Sequence, residues 1–337
     1  SRVSDESYCE VGDIVIADAS EDYQDIGKSI EIIDIDNQKI LAGLHTLLAR
    51  PKSNTFAVGF LGYLMRSHTM RLQIMILAQG TKVLGISTKH LGEILFKIPT
   101  IPEQQKITSF LSSLDEWIEN LRLQKESLEK YKKGMMQKLF SQEIRFKDEK
   151  RKDFPNWEEK RLDELFNERN ERNGKQELEL LTIKTEGGII KYDASIKKDN
   201  SSEDKSNYKM VHIGDIAYNT MRMWQGASGV SNYKGIVSPA YTVVTLKNGD
   251  INFYGYLFKL PRTIFDFYRY SQGLTSDTWN LKYKHFSEIV VKVPTDIREQ
   301  QKISNFLMNI DNLIVALDKR IVKEIQFKMG FMQKMFI

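Results

Sequence analysis

Glu103-Gln104-Gln105-Lys106-Ile107 recurs as Glu299-Gln300-Gln301-Lys302-Ile303, 196 positions later, and the fold follows from that doubling. At the same offset Phe110-Leu111 meets Phe306-Leu307, Asp115 meets Asp311, and Met136-Gln137-Lys138 meets Met332-Gln333-Lys334. The register closes on Phe140 and Phe336, with roughly 16 identities in 38 positions, far above the two or three of chance. Weaker anchors extend it upstream. Gly62-Tyr63-Leu64 matches Gly255-Tyr256-Leu257, Gln79-Gly80 matches Gln272-Gly273, and Lys89-His90 matches Lys284-His285. Gly12-Asp13-Ile14 lines up with Gly214-Asp215-Ile216. The chain is therefore a duplicated module, each copy a variable block followed by a near-constant one.

Within each constant block the apolar residues step by three and four, which predicts a helix over 103–140 and its counterpart at the C-terminus. The first seam runs through Ile107, Phe110, Leu114, Trp117/Ile118, Leu121, Leu128, Tyr131, Met135 and Leu139. The second runs through Ile303, Phe306, Ile310, Leu313/Ile314, Leu317, Ile321, Phe327, Phe331 and Met335. Thr100 with Glu103, and Asp296 with Glu299, have the spacing of capping boxes. Helices of about 36 residues are roughly 54 Å long, too long to bury a seam inside one small domain. Packing them on each other, antiparallel, is the economical solution. Two ordinary amphipathic helices, each on its own domain, remain the alternative.

The variable blocks read as mixed α and β. Residues 14–17, 44–49, 214–218 and 240–246 are short strand candidates, and 253–259 and 262–269 look helical. Two loops combine cations, amides and aromatics: Asn219-Thr220-Met221-Arg222-Met223-Trp224-Gln225, and Arg269-Tyr270-Ser271-Gln272-Gly273-Leu274-Thr275. Arg, Lys, Asn and Gln read base edges, and Lys, Arg, Ser and Thr bind phosphates. Taken singly, each such residue is as compatible with an ordinary solvated surface.

The 337 residues predict about two domains, and 41% hydrophobic content excludes a disordered chain. Cys9 stands alone, so neither a disulfide framework nor a Cys-rich zinc module is expected. The longest apolar stretch, residues 56–65, falls short of a membrane span, and a cytoplasmic protein is expected. A net charge of +4 is compatible with nucleic acid without being diagnostic. No Gly-x-Gly-x-x-Gly fingerprint occurs, Gly27-Lys28-Ser29 lacks the glycine that would open a phosphate loop, and the five histidines lack metal-ligand spacing. His90 and His285, each after a lysine at a helix start, read as structural. The residues give no sign of catalysis, cofactor binding or a metal site.

A variable block, a Pro-x-x-x-Glu-Gln-Gln-Lys-Ile helix start, a helix ending Met-Gln-Lys-Leu-Phe, then Phe-Pro-x-Trp-Glu-x-x-x-Leu and a repeat of the whole closely resemble the specificity subunit of type I restriction-modification enzymes. The resemblance covers nearly the whole chain. It implies an α/β (mixed α+β) fold in which two long antiparallel coiled-coil helices join two target-recognition domains in a pseudo-twofold repeat. The expected divisions are 1–100 (first recognition domain), 101–141 (first helix), 142–294 (linker and second recognition domain) and 295–337 (second helix). The first domain is short by roughly fifty residues relative to the second, expected to reflect a fragment, or alternatively a natural truncation. Each domain is expected to read half of a bipartite double-stranded DNA site, with the helices setting the gap.

Modification subunits binding S-adenosylmethionine, and restriction subunits using ATP and Mg, are the partners the resemblance implies; no cofactor is expected in this chain. Candidate DNA contacts are Arg222, Gln225, Arg269, Gln272, Lys282 and Lys284 in the second domain. In the first they are Arg66, Arg71, Gln79, Thr81, Lys82 and Lys89. The repeat-equivalent Asp115, Lys138, Phe140, Asp311, Lys334 and Phe336 are candidate contacts for two identical partners. A coiled-coil scaffold without DNA specificity, and a fragment of a fused methyltransferase, are the rival readings.

Overall fold

A computed structural model describes residues 7–52, 55–174, 176–185, 187–192 and 203–336. The chain divides into two compact units, Ser1–Ser127 with Val315–Ile337, and Leu128–Ile314. Unit 1 holds β1 (Ile14–Ala17), β2 (Ala19–Ser20), β3 (Ser29–Glu31), β4 (Thr46–Ala49), α1 (Phe60–Arg66), α2 (His68–Leu77), β5 (Leu84–Gly85), α3 (Thr88–Leu91) and most of α4 (Ile101–Phe140). The rest of α4 opens unit 2, followed by β6 (Glu158–Arg161), α5 (Leu162–Leu165), β7 (Phe166–Glu168), β8 (Leu181–Lys184), β9 (Gly188–Lys191), β10 (Lys209–Val211) and β11 (Ile216–Asn219). Then come β12 (Ser228–Val230), β13 (Gly235–Val237), β14 (Tyr241–Leu246), α6 (Ile251–Leu257), α7 (Pro261–Tyr270), α8 (Tyr283–Phe286) and β15 (Val290–Val293). The last element, α9 (Ile297–Met335), starts in unit 2 and ends in unit 1.

Among the described residues every pairing of these strands is antiparallel. The mixed fold is thus helices on antiparallel sheets. In unit 1 the sheet order is β3-β1-β4, and in unit 2 the largest sheet is β12-β11-β14-β7. β1 and β11 are the repeated strands that follow Gly-Asp. Each aspartate closes the same turn: Asp13 accepts the Glu10 amide at 2.7 Å, and Asp215 the His212 amide at 2.7 Å. Both are buried and held by a two-pronged guanidinium, which satisfies the remaining carboxylate oxygens. The arginines come from different places. Arg50 follows β4 in unit 1, whereas Arg169 follows β7 in unit 2.

The long helices pack on each other, antiparallel, in both units. In unit 1, Ile118 and Leu121 bury against Ile321, and Asp115 meets Lys328 while Lys125 meets Asp318 at 2.7 Å. In unit 2, Leu139 shares a core with Ile303 and Leu307, and Lys132 meets Asp311 at 2.6 Å. The expected seam is corrected at several positions. Trp117, Leu313 and Phe327 stand well exposed, while Leu111 and Leu307 are fully buried; Phe110 and Tyr131, though partly exposed, pack edge-on against Phe331 and Phe306 of the facing helix at 5.1 and 6.4 Å. Each helix faces both its partner helix and the sheet-bearing part of its unit, so its buried face is wider than a single coiled-coil seam.

The capping-box expectation is also corrected. Glu299 does not reach back to its helix start. Its carboxylate accepts Arg145 Nε at 2.9 Å, Arg145 Nη2 at 2.8 Å and Trp157 Nε1 at 3.2 Å, and it is 1% exposed. The neighbouring glutamines explain the repeated motif. Gln300 donates to Pro294 O at 2.8 Å and accepts the Asp250 amide at 2.9 Å. Gln104 donates to Pro99 O at 2.9 Å and accepts the Ala57 amide at 2.8 Å. Each side-chain amide thus joins its helix start to the loop ahead of α6 or α1.

A second repeated joint lies further along. In unit 1 Tyr63 donates to Asp115 at 2.8 Å while Lys328 binds the other carboxylate oxygen. In unit 2 Tyr256 donates to Asp311 at 2.5 Å while Lys132 binds the other oxygen. All three partners are repeat-equivalent, but aspartate and lysine exchange helices between the copies. Burial and the adjacent carboxylate push both phenols well above the usual tyrosine range. Each joint ties a short helix to both long ones.

Candidate nucleic-acid interface

In unit 2 the two loops singled out by composition lie side by side. The first, 219–227, leaves β11 and turns through a single 3-10 turn, Met223–Gln225, ending on Gly226 at φ 80°. The second, 272–280, follows α7 and is pinched at its neck by reciprocal backbone bonds between Gln272 and Asn280, at 2.9 and 2.8 Å. Trp224 packs edge-on against Trp279 with centroids 5.2 Å apart, Tyr268 of α7 packs on Trp279 at 4.9 Å, and the Leu281 amide donates to Thr220 O at 2.8 Å. Aromatic contacts thus make one surface of two loops separated by some fifty residues.

The candidate residues divide between two cavities and the open surface. Lys282 and Lys284, both exposed, line a cavity of about 500 Å³ with Lys209, Thr220, Thr278, Asn280 and Tyr241. Arg222, also exposed, lines a neighbouring cavity of about 650 Å³ with Lys184, Lys191, Asn219 and Tyr192. Gln225 and Gln272 are exposed, and Gln272 donates its side-chain amide to Tyr270 O at 3.2 Å. Arg269 lies on α7, exposed, 3.9 Å from Asp266.

Unit 1 repeats the pinched loop. Gln79 and Gly85 exchange backbone bonds at 2.9 and 2.7 Å after α2. Gly80 at φ 138° and Gly273 at φ 146° occupy the same position, and a Cβ at either would collide with the backbone across the loop. Only glycine fits there, which accounts for the repeated Gln-Gly. Thr81 and Lys82 sit exposed at the tip, and Lys89 is exposed on α3 as Lys284 is on α8. Arg66 and Arg71 are differently placed. Arg66 donates to Gly62 O at 2.8 Å and lies over the Tyr63 ring, and Arg71 is half-buried, donating to Gln24 O at 3.1 Å, where burial lowers its pKa.

Lys184, Lys191, Thr278 and Asn280 lie outside the two loops marked by composition, and the strands β8 and β9 and the closing limb of the second loop bring them to this surface; Lys209 of β10 is buried beneath it and paired with Glu168 at 3.3 Å. Lys259 also lies outside the two loops. That side chain is largely buried and donates to Gly226 O at 2.6 Å, Ser228 O at 2.8 Å and Thr185 O at 3.2 Å, holding the end of the first loop in place. Burial and the nearby Lys132 pull its pKa down to about 8. The signal was present in the repeat, for Lys259 follows Gly255 as Arg66 follows Gly62.

Four of the six candidate partner contacts have internal roles. Asp115 and Asp311 serve the tyrosine joints, Phe140 stacks on Phe253, and Phe336 is buried against Phe60. Lys138 pairs with Glu143 at 3.1 Å, and Lys334 is exposed. Among the described residues no cluster of His, Cys, Asp or Glu could hold a metal ion, and no helix is long and apolar enough to cross a membrane.

Residues 6–130 and 155–326 each match the type I restriction modification DNA specificity domain family. A putative type I restriction enzyme MjaX specificity subunit from Methanocaldococcus jannaschii is 30% identical over 135 residues, 40% of this chain and 31% of the relative. The MjaVIII specificity subunit of the same organism is 35% identical over 97 residues, 29% of this chain and 23% of the relative. These matches span less than a third of the curated relatives' length. Among solved structures, the S subunit of a type I restriction-modification system from M. genitalium aligns at TM-score 0.57 and 17% identity, covering 97% of this chain and 83% of that one. A chain from a structure of type I R-M complex assembly and conformational transition aligns at TM-score 0.58 and 16% identity, covering 97% and 82%. At that identity the likeness concerns the fold.

Proposed function

Because the chain belongs to the type I restriction modification DNA specificity family, we propose that it is the DNA-reading subunit of such a system, one recognition domain per half of a bipartite site. The observation that carries this reading is the loop built twice on one frame: a helix, a Gln-Gly pinch that admits only glycine, and a tip whose residues differ between copies. A constant frame with a variable polar tip suits proteins that keep a binding geometry and change what is read. In unit 2 the exposed Lys282 and Lys284 supply phosphate contacts, and Arg222 with Gln225 faces base edges. The two long helices set the gap between half-sites. The chain performs no chemistry itself. Methylation and cleavage belong to modification and restriction subunits, which carry S-adenosylmethionine, ATP and Mg, and the complex works on DNA in the cytoplasm.

The test is adenine-methylation mapping of a genome carrying this chain with its modification partner, against one lacking the chain. A split motif with a fixed gap, methylated on both strands only when the chain is present, is the expected result. Absence of any new motif, together with absence of salt-sensitive duplex binding by the full chain, would replace the reading with that of a coiled-coil scaffold.

A further inference from the structure

The cavity that holds Arg222 has two walls, the loop 219–227 and the β8–β9 hairpin with its exposed Lys184 and Lys191. The loop is stiff within itself. Asn219 N donates to Ala227 O at 3.0 Å, Arg222 N to Asn219 O at 3.0 Å and Gly226 N to Met223 O at 2.8 Å. Where Arg222 stands is therefore set by the footing of the loop more than by its interior. The hairpin has a footing of its own. Leu181, Ile183 and Ile189 share a buried cluster with Ala217 and Val243 of the large sheet. Near its turn, Gly188 lies directly against Gly229 of β12, and a Cβ on Gly229 would stand 2.9 Å from Gly188 Cα and from Ile189 N.

One side chain joins the two walls. Lys259, two residues beyond α6, donates to Thr185 O at the turn of the hairpin and to Gly226 O and Ser228 O where the loop ends. Among the described residues no carboxylate pairs with this ammonium, and the charge that acts on it is that of Lys132 of α4, itself bound to Asp311. A largely buried cation held by carbonyl dipoles alone loses solvation that a carboxylate would offset. What it supplies is three donors on one atom, enough to bind two separate segments at once.

We infer that Lys259 fixes the width of this cleft and is a specificity-determining residue without itself contacting a base: by tying the hairpin turn to the end of the loop, it holds Arg222 where a guanidinium meets a base edge squarely. The inference rests on the DNA-reading function proposed above. A guanidinium reads guanine through two parallel hydrogen bonds, and these weaken steeply off line, so a shifted wall costs discrimination first. The ammonium groups of Lys282 and Lys284, in the neighbouring cavity, act on phosphate as point charges and tolerate the shift.

Spin labels at Lys184→Cys and Met221→Cys, in the full chain carrying Cys9→Ala and without DNA, read the cleft as an electron–electron distance. A narrow distribution is expected with Lys259 in place, one about twofold broader with Lys259→Met, and a narrow one again with Lys259→Arg, which keeps a cationic donor. On unlabelled chains with duplexes of the mapped site, the matched-to-mismatched affinity ratio should fall about tenfold in Lys259→Met, as in Arg222→Ala, and no further in the double variant. The salt slope should not change. Gly229→Ala, which pushes the hairpin off β12 with Lys259 intact, should lengthen the distance and lower the same ratio, and it decides the question if Lys259→Met does not fold. An unchanged distance distribution in Lys259→Met would overturn the inference, as would losses from Lys259→Met and Arg222→Ala that multiply independently. A cleft that depends on Lys259 in a chain conferring no split motif would refute the DNA-reading function, whereas a split motif read with a ratio indifferent to Lys259 would refute this inference alone.

Discussion

Arg222 and Lys284 lie within one surface of unit 2, yet their side-chain chemistry separates their roles. A guanidinium presents a planar fork that matches a guanine edge, while an ammonium is a point charge suited to phosphate. Arg222→Ala is expected to cost about 1–3 kcal/mol on the matched duplex and to relax discrimination at one base pair. Lys284→Ala should weaken matched and mismatched duplexes alike and lower the salt slope by about one. Binding curves on both duplexes at several salt concentrations check the pair, and equal effects of the two substitutions would remove Arg222 from base reading. Asp13 gives a pH prediction. Burial alone would raise its pKa, but Arg50 and the Glu10 amide outweigh it and hold the carboxyl below 3.8. The unfolded chain therefore takes up this proton first as pH falls, so the stabilisation is complete above about pH 5 and is lost through the folded value. Asp13→Asn should flatten the acid limb of stability, read as urea midpoints between about pH 5 and pH 3.

Helix starts show how one motif serves two settings. Glu299 is buried with a bidentate arginine, and truncating one partner of a buried ion pair leaves an uncompensated charge. Glu299→Ala is expected to destabilise the protein by about 3 kcal/mol. Glu103→Ala, at the same place in the other helix but exposed, should stay within about 0.5 kcal/mol of wild type. Chemical denaturation of the two variants decides this, and comparable losses would mean that Glu103 has a structural partner. The glutamine beside each glutamate has an equivalent role in both units, clasping a proline carbonyl and a loop amide. That joint, together with the Tyr–Asp–Lys joint, is why the repeat is strictest at the start of the helix and near Asp115 and Asp311.

Across the whole molecule, α4 and α9 each contribute to both compact units. In the proposed function these two helices set the gap of the split site. Inserting seven helical residues after Ser127 and seven before Val315 adds about 10 Å to each helix. The expected outcome is a gap longer by about three base pairs, at 3.4 Å per pair, with both half-sites unchanged. Methylation mapping with the lengthened chain checks it, and an unchanged gap would show that the helices do not measure the site.

From sequence alone came the duplicated module, the two long helices, the strands after each Gly-Asp, and α6, α7 and the two polar loops. These rest on signals local in the chain: helical period, strand alternation and identity at a fixed offset. The register of the buried helix faces came only from the tertiary structure, because each helix packs on two neighbours and a one-dimensional period describes one. Folding also decided what the repeated motif does: Glu299 forms an ion pair where a cap was expected, while Glu103 lies open. The same holds at the candidate site. Arg222, Lys282 and Lys284 were legible as exposed cations, but Lys184, Asn280 and the loop-holding Lys259 were not. Their neighbours lie tens of residues away in sequence, and only the closing of sheet and loops brings them together.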